Sequence, residues 1–134
     1  MTPTDDECYV SIEVYDNFLH EKFKKMVGCK FDEEEVDGDL MRLVGYKAPY
    51  CQIEEVLRDC ARLGMVFSGG HGSGNLGYPE GLFCSFNGKF YAIDTINDEP
   101  VVTVLPNGNI NQENLNEVRD YLKAMKKINE VTGG

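Results

Sequence analysis

The sequence predicts an α+β fold: a mainly antiparallel sheet of about five to six short strands with three helices packed on it, spanning residues 1–134 as a single domain. Three observations predict it. Several short segments alternate apolar and polar residues with a period of two, as half-buried strands do. Asn87-Gly88 sits between two apolar runs and calls for a tight hairpin, which makes its flanking strands antiparallel. Two later segments, 48–64 and 111–128, carry apolar residues at helical spacing and need a sheet face to cover. A chain of 134 residues buries roughly two-thirds of its unfolded surface, so it folds without a metal or a disulfide framework.

The elements follow in order. "CYVSIEVY" (8–15) places Val10, Ile12 and Val14 on one side of a strand. "DNFLHEKFKKMVG" (16–28) is a helix with Asp16 or Asn17 as cap, Phe18, Leu19, Phe23, Met26 and Val27 at helical spacing, and Gly28 at the exit. His20 falls on its polar side, as a surface residue. "DEEEVDGD" (32–39) reads as an acidic loop with an Asp37-Gly38 turn, and "DLMRLVGY" as a short strand. The second helix aligns Ile53, Val56, Leu57, Cys60 and Leu63, with Pro49 just upstream and Gly64 at its end. "MVFS" is a brief strand that runs into "SGGHGSGNLGYPEG" (68–81), which holds six of the fourteen glycines. "GLFCSFNGKFYAID" is the hairpin, and "EPVVTVLPNG" a further strand. The last helix starts near Asn111, with Leu115, Val118, Tyr121, Leu122, Met125 and Ile128 facing inward. The resulting order is β–α–β–α–β–(glycine loop)–β–β–β–α.

The net charge is −10, and the acidity is concentrated early: residues 1–60 hold fifteen acidic and seven basic residues. Such a field repels phosphate backbones, which argues against direct binding of nucleic acid or anionic membranes, and it attracts basic protein surfaces. No apolar run approaches the ~20 residues of a membrane span. The stretch "MTPTDDECYV" is acidic where a secretory signal needs positive charge, so the expected location is cytoplasmic. The five cysteines, Cys8, Cys29, Cys51, Cys60 and Cys84, form no C-x-x-C pair and are expected to be free thiols, Cys60 within the core.

These features favour a non-enzymatic binding protein that docks onto a basic partner protein. Asp32, Glu33, Glu34, Glu35 and Asp37 would steer the encounter, and Phe31, Tyr46, Tyr50 and Tyr78 would anchor it. Inhibitors, immunity proteins and antagonists of nucleic-acid-binding proteins use this charge logic. A second reading makes the protein a small-molecule or nucleotide binder whose glycine loop, with Gly69, Gly70, His71, Gly72, Ser73, Gly74, Asn75 and Tyr78, closes over a ligand. The loop lacks G-K-[ST] and opens no helix, so neither a Walker nor a dinucleotide-binding motif is present.

A third reading is hydrolytic. Cys51 at a helix start, His71 and Asp94 follow in the order nucleophile, base and polar third residue. In that order the chain resembles cysteine peptidases of the NlpC type, and the resemblance implies a Cys-His hydrolase. The segment around the cysteine, "APYCQIE", departs from the aspartate–cysteine–serine–glycine context of that family. No cofactor is expected. No metal site is expected either: the spacings of Cys51, Cys60, His71 and Cys84 match no zinc pattern, and the acidic run misses the register of a calcium loop.

Overall fold

The computed structural model describes residues 6–133, with the backbone alone at Cys51. The chain runs through β1 (Cys8–Tyr15), a 3-10 turn (Asn17–Leu19), α1 (His20–Val27), β2 (Glu33–Asp37), β3 (Leu40–Ala48), α2 (Tyr50–Arg62), β4 (Val66–His71), β5 (Gly81–Phe86), β6 (Lys89–Ile96), β7 (Glu99–Pro100) and α3 (Gln112–Thr132). The strands form one open sheet in the order β2-β3-β1-β4-β5-β6-β7, with every neighbouring pair antiparallel. The fold is α+β.

Alternation along β1 sets the layers. Val10, Ile12 and Val14 are fully buried on the first face of the sheet, together with Met41, Leu43, Phe67 and Phe83 from its neighbours. Phe23 and Val27 of α1 and Ile53, Leu57, Cys60 and Ala61 of α2 close that core. A second core lies on the opposite face, where Val118, Tyr121, Ala124 and Ile128 of α3 pack against Cys84 and Ile93 of β5 and β6. Helix α3 therefore covers the β5–β6 end of the second face. At the β2–β3 end of that face, Tyr9, Arg42, Tyr46, Glu33 and Glu35 remain exposed.

Local chemistry explains several elements. Asn87 and Gly88 have φ values of 54° and 82°, the pair of positive angles that a type I′ turn requires. Asn111 caps α3 by accepting a hydrogen bond from the Asn114 amide at 3.2 Å, and Gly133 ends the helix in the left-handed region. Cys60 is buried, as its place on the apolar stripe of α2 requires.

Other expectations are corrected. The acidic segment is not a loop: Glu33–Asp37 forms strand β2, paired with β3 through a two-residue turn whose first residue, Gly38, has φ 61°. Strand pairing overrides the low β-propensity of glutamate there. Segment 99–108 forms only the two-residue β7 and an isolated bridge between Val104 and Ile110. The β6–β7 connection is a third two-residue turn, at Asn97 and Asp98, both with positive φ. His20 is not a surface residue: it is 5% exposed, and its Nε2 lies 2.8 Å from the Asp39 carbonyl oxygen, which ties α1 to the β2–β3 turn. Phe18 falls in the 3-10 turn and is 94% exposed, and Leu63 and Leu122 also face outward.

The glycine-rich segment divides in two. Gly69, Gly70 and His71 belong to β4, and only residues 72–80 form a connection. Gly69 lies between Ile12 of β1 and Phe83 of β5, and a Cβ there would overlap the Ser11 carbonyl oxygen and crowd the Phe83 ring. Glycine is required because backbone and aromatic ring approach closely. Gly69→Ala should thus lower stability by about 1–3 kcal/mol, the usual cost of overpacking. Gly72→Ala, whose Cβ would meet only ordinary contacts, should change it little; urea denaturation of the two variants measures the difference.

Candidate interaction site

The acidic residues singled out from the sequence are split by the pleat of β2. Glu33 and Glu35 lie opposite Val44 and Arg42 of β3, and join Tyr9, Ser11 and Glu13 of β1 around a shallow hollow of about 360 Å³ on the second sheet face. Arg42 pairs with Glu13 at 3.0 Å. Three carboxylates against one guanidinium leave this face with two uncompensated negative charges. Glu34 points the other way and pairs with Lys24 of α1 at 3.3 Å. Asp32 is structural: its carboxylate accepts the Tyr46 amide at 2.7 Å.

Tyr46 is 56% exposed and donates its hydroxyl to the Glu33 carboxylate. That bond, with desolvation and the nearby carboxylates, raises the Tyr46 phenol above its ordinary value. Tyr9 lies beside it, ring centroids 6.4 Å apart. The sequence alone does not single out Tyr9 or Glu13; the alternation of β1 is the signal that puts both on this face.

At one end the face continues into a larger groove of about 800 Å³ between the turn of β2–β3 and the end of α3. Glu13, Asp16, Asp37 and Asp39 contribute carboxylates to it, and Phe18 and Val131 contribute exposed apolar surface. Asp37, expected in the acidic cluster, belongs here.

Two expected anchors are not available. Phe31 is buried in the first core. Tyr50 is 1% exposed: its ring stacks on His71 with centroids 3.9 Å apart and on Phe83 at 5.4 Å, and its buried hydroxyl has no hydrogen-bond partner among the described residues. Both lie next to charged or loop sequence, yet their rings fill the space under the sheet.

Segment 72–80 is held from within. The buried Asp6 carboxylate accepts the backbone N–H of Leu76 at 2.9 Å and of Tyr78 at 3.0 Å. A Cβ on Gly74 would overlap that carboxylate. The Gly72 amide donates to the Tyr9 carbonyl at 2.8 Å and the Gly74 amide to the Tyr78 carbonyl at 2.8 Å, while Ser73 and Asn75 lie along the same stretch. Tyr78 packs on Tyr50 and on His71. Burial pushes the Asp6 carboxyl up, but hydrogen bonds from the Tyr78, Leu76, Glu7 and Asn75 backbone outweigh it and hold the group below its ordinary value.

Of the hydrolytic set, the Cys51 side chain lies outside the described residues. His71 and Asp94 both stand opposite Gly81, on the two strands that flank β5. Burial lowers the His71 imidazole below its ordinary value, against smaller opposing effects of the Gly72 carbonyl, Asp94 and Glu80. Among the described residues, no three His, Cys, Asp or Glu side chains gather as a metal cluster. Cys8, Cys29, Cys60 and Cys84 are free thiols, and burial pushes Cys60 up to about 11 and Cys84 up to about 12.

Two pH effects follow. His71 has a folded pKa below its unfolded value, so its share of stability is present above the ordinary ~6.5 and is lost as the pH falls below it, where the unfolded chain takes up the proton first. His71→Phe should remove that slope from thermal melts recorded between pH 7 and pH 5. Asp6 acts in a lower window: its stabilisation is complete above the ordinary ~3.8 and is lost as the pH falls through the depressed folded value. Asp6→Asn should speed amide hydrogen exchange at Leu76 and Tyr78 at neutral pH and leave the β5–β6 hairpin unchanged.

Comparison with protein-family models, with curated proteins and with solved structures finds no match for this chain.

Proposed function

We propose that this protein is a non-enzymatic binding module that docks a basic protein surface against the open end of the sheet formed by β2, β3 and β1. One observation carries the reading: Glu13, Glu33 and Glu35 share a helix-free part of the sheet with two adjacent exposed tyrosines, Tyr9 and Tyr46. Tyrosines are well suited to anchor an interface, because they bring large contact area at low entropic cost and keep a polar tip. The surrounding carboxylates would speed the encounter with a cationic partner and disfavour acidic ones. The adjoining groove, with its four carboxylates around Phe18 and Val131, extends the same chemistry to a partner that carries an apolar residue among its basic ones. The role suits an inhibitor or antagonist of a basic protein.

The reading is supported further by where charge is compensated. Glu34 on the opposite side pairs with Lys24, which also pairs with Glu21, while on the tyrosine face Arg42 pairs with Glu13 and Glu33 and Glu35 line the same hollow. The tyrosine face thus gathers three carboxylates around one guanidinium.

The test is capture of basic proteins by the immobilised chain at low and high salt. The triple variant Glu13→Gln, Glu33→Gln, Glu35→Gln should lose most of the salt-sensitive capture, and Tyr46→Ala should weaken what remains. A second triple variant on α3, Glu113→Gln, Glu117→Gln, Asp120→Asn, changes net charge equally and should capture as the parent does. Equal loss in both triple variants, or none in either, would overturn the reading.

A further inference from the structure

We propose that the outer edge of β2 takes up an extended basic segment of a partner protein as an added strand; this rests on the docking function above and specifies its binding mode. The sheet has two edges, β2 and β7. Strand β7 is blunted, being two residues long and containing Pro100, which has no N–H to donate. Strand β2 is five residues long, has no proline, and all five of its residues are exposed. An edge of this length presents a row of backbone donors and acceptors ready for pairing.

The phase of the edge follows from its turn. Gly38 and Asp39 form a two-residue loop between paired Asp37 and Leu40. In such a hairpin the closing pair is hydrogen-bonded, so Glu33, Glu35 and Asp37 turn their amides toward β3, and Glu34 and Val36 turn theirs outward. The turn is also fixed in place by His20, through the Asp39 carbonyl.

Charge selects the occupant. A second copy pairing through β2 would set Glu33, Glu34, Glu35 and Asp37 against the same four residues, and like charges across a strand pair are destabilising. A cationic strand reverses the sign. Its basic residues at alternate positions would meet Glu33 and Glu35 on the open face, and the residues between them would lie beside Val36, which is 60% exposed.

The probe is a capped heptapeptide of alternating Lys and Val, compared with one of identical charge in which proline replaces each Val. Both are titrated into the isotopically labelled chain at low salt. The Lys-Val peptide should shift the amide signals of Glu34 and Val36, slow their hydrogen exchange, and bind at least about tenfold more tightly than the proline peptide. Equal affinity for the two peptides would overturn strand addition and leave electrostatic docking standing. Absence of any shift at Tyr9, Glu33, Glu35 and Tyr46 with either peptide would overturn both. A dimer of the unliganded chain in light scattering, with the β2 amides protected, would also overturn it, since the edge would then belong to a second copy.

Discussion

The alternation of side chains along β1 is the constraint on which the rest depends. Val10, Ile12 and Val14 must leave water on one face, and α1 and α2 provide the cover. Because the period is two, the intervening Tyr9, Ser11, Glu13 and Tyr15 are turned to the other face whatever lies there. Helix α3 completes that second layer over β5 and β6, with Tyr15 of β1 and Val66 of β4 packed at its margin. The three helices thus cover the centre of one face, leaving Val36 of β2 exposed at its edge, and part of the other, where Tyr9, Ser11 and Glu13 of β1 occupy the uncovered region.

The neighbouring strand β4 is fitted to this centre by subtraction. Its pairing with β1 brings Gly69 opposite Ile12 and Gly70 opposite Ser11. The missing side chain at Gly69 lets Phe83 lie against the strand, and that at Gly70 leaves room for Leu82; Phe83 stacks on Tyr50 and His71 and meets Phe67 edge-on. The glycines therefore bring surfaces together, and in segment 72–80 they make room for the Asp6 carboxylate. Backbone freedom is used for proximity more than for motion.

Much of the fold is legible in the sequence where one local signal dominates. Asn87-Gly88 needs two positive φ angles, Asn111 offers a capping oxygen, and β1 alternates without interruption. The parts that are not legible depend on partners distant in sequence. Strand β2 reads as a solvated charge run, and only pairing with Leu40–Val44 makes it extended. His20 sits among lysines and glutamate, yet a carbonyl nineteen residues away holds it inside. Tyr50 follows a proline at a helix start, where burial cannot be foreseen; its stacking on His71 joins two elements that the sequence separates. The acidic cluster itself is legible as composition, but its division between two faces is a property of the pleat. Tyr46 is legible beside it; the alternation of β1 puts Tyr9 and Glu13 on one face, but only the register with β3 brings them next to Tyr46 and Arg42.

The contact between His20 and the Asp39 carbonyl has a consequence for the proposed docking. It braces the tip of the β2–β3 arm against a helix whose own residues Phe23 and Val27 are rooted in the core. The tip of the acidic arm is thereby tied to the core, so in the proposed docking more of the entropy lost on association would fall on the incoming segment. An arm held in this way would discriminate by shape as well as by sign: a flexible cationic segment could conform to it, whereas a rigid one would already need the matching twist.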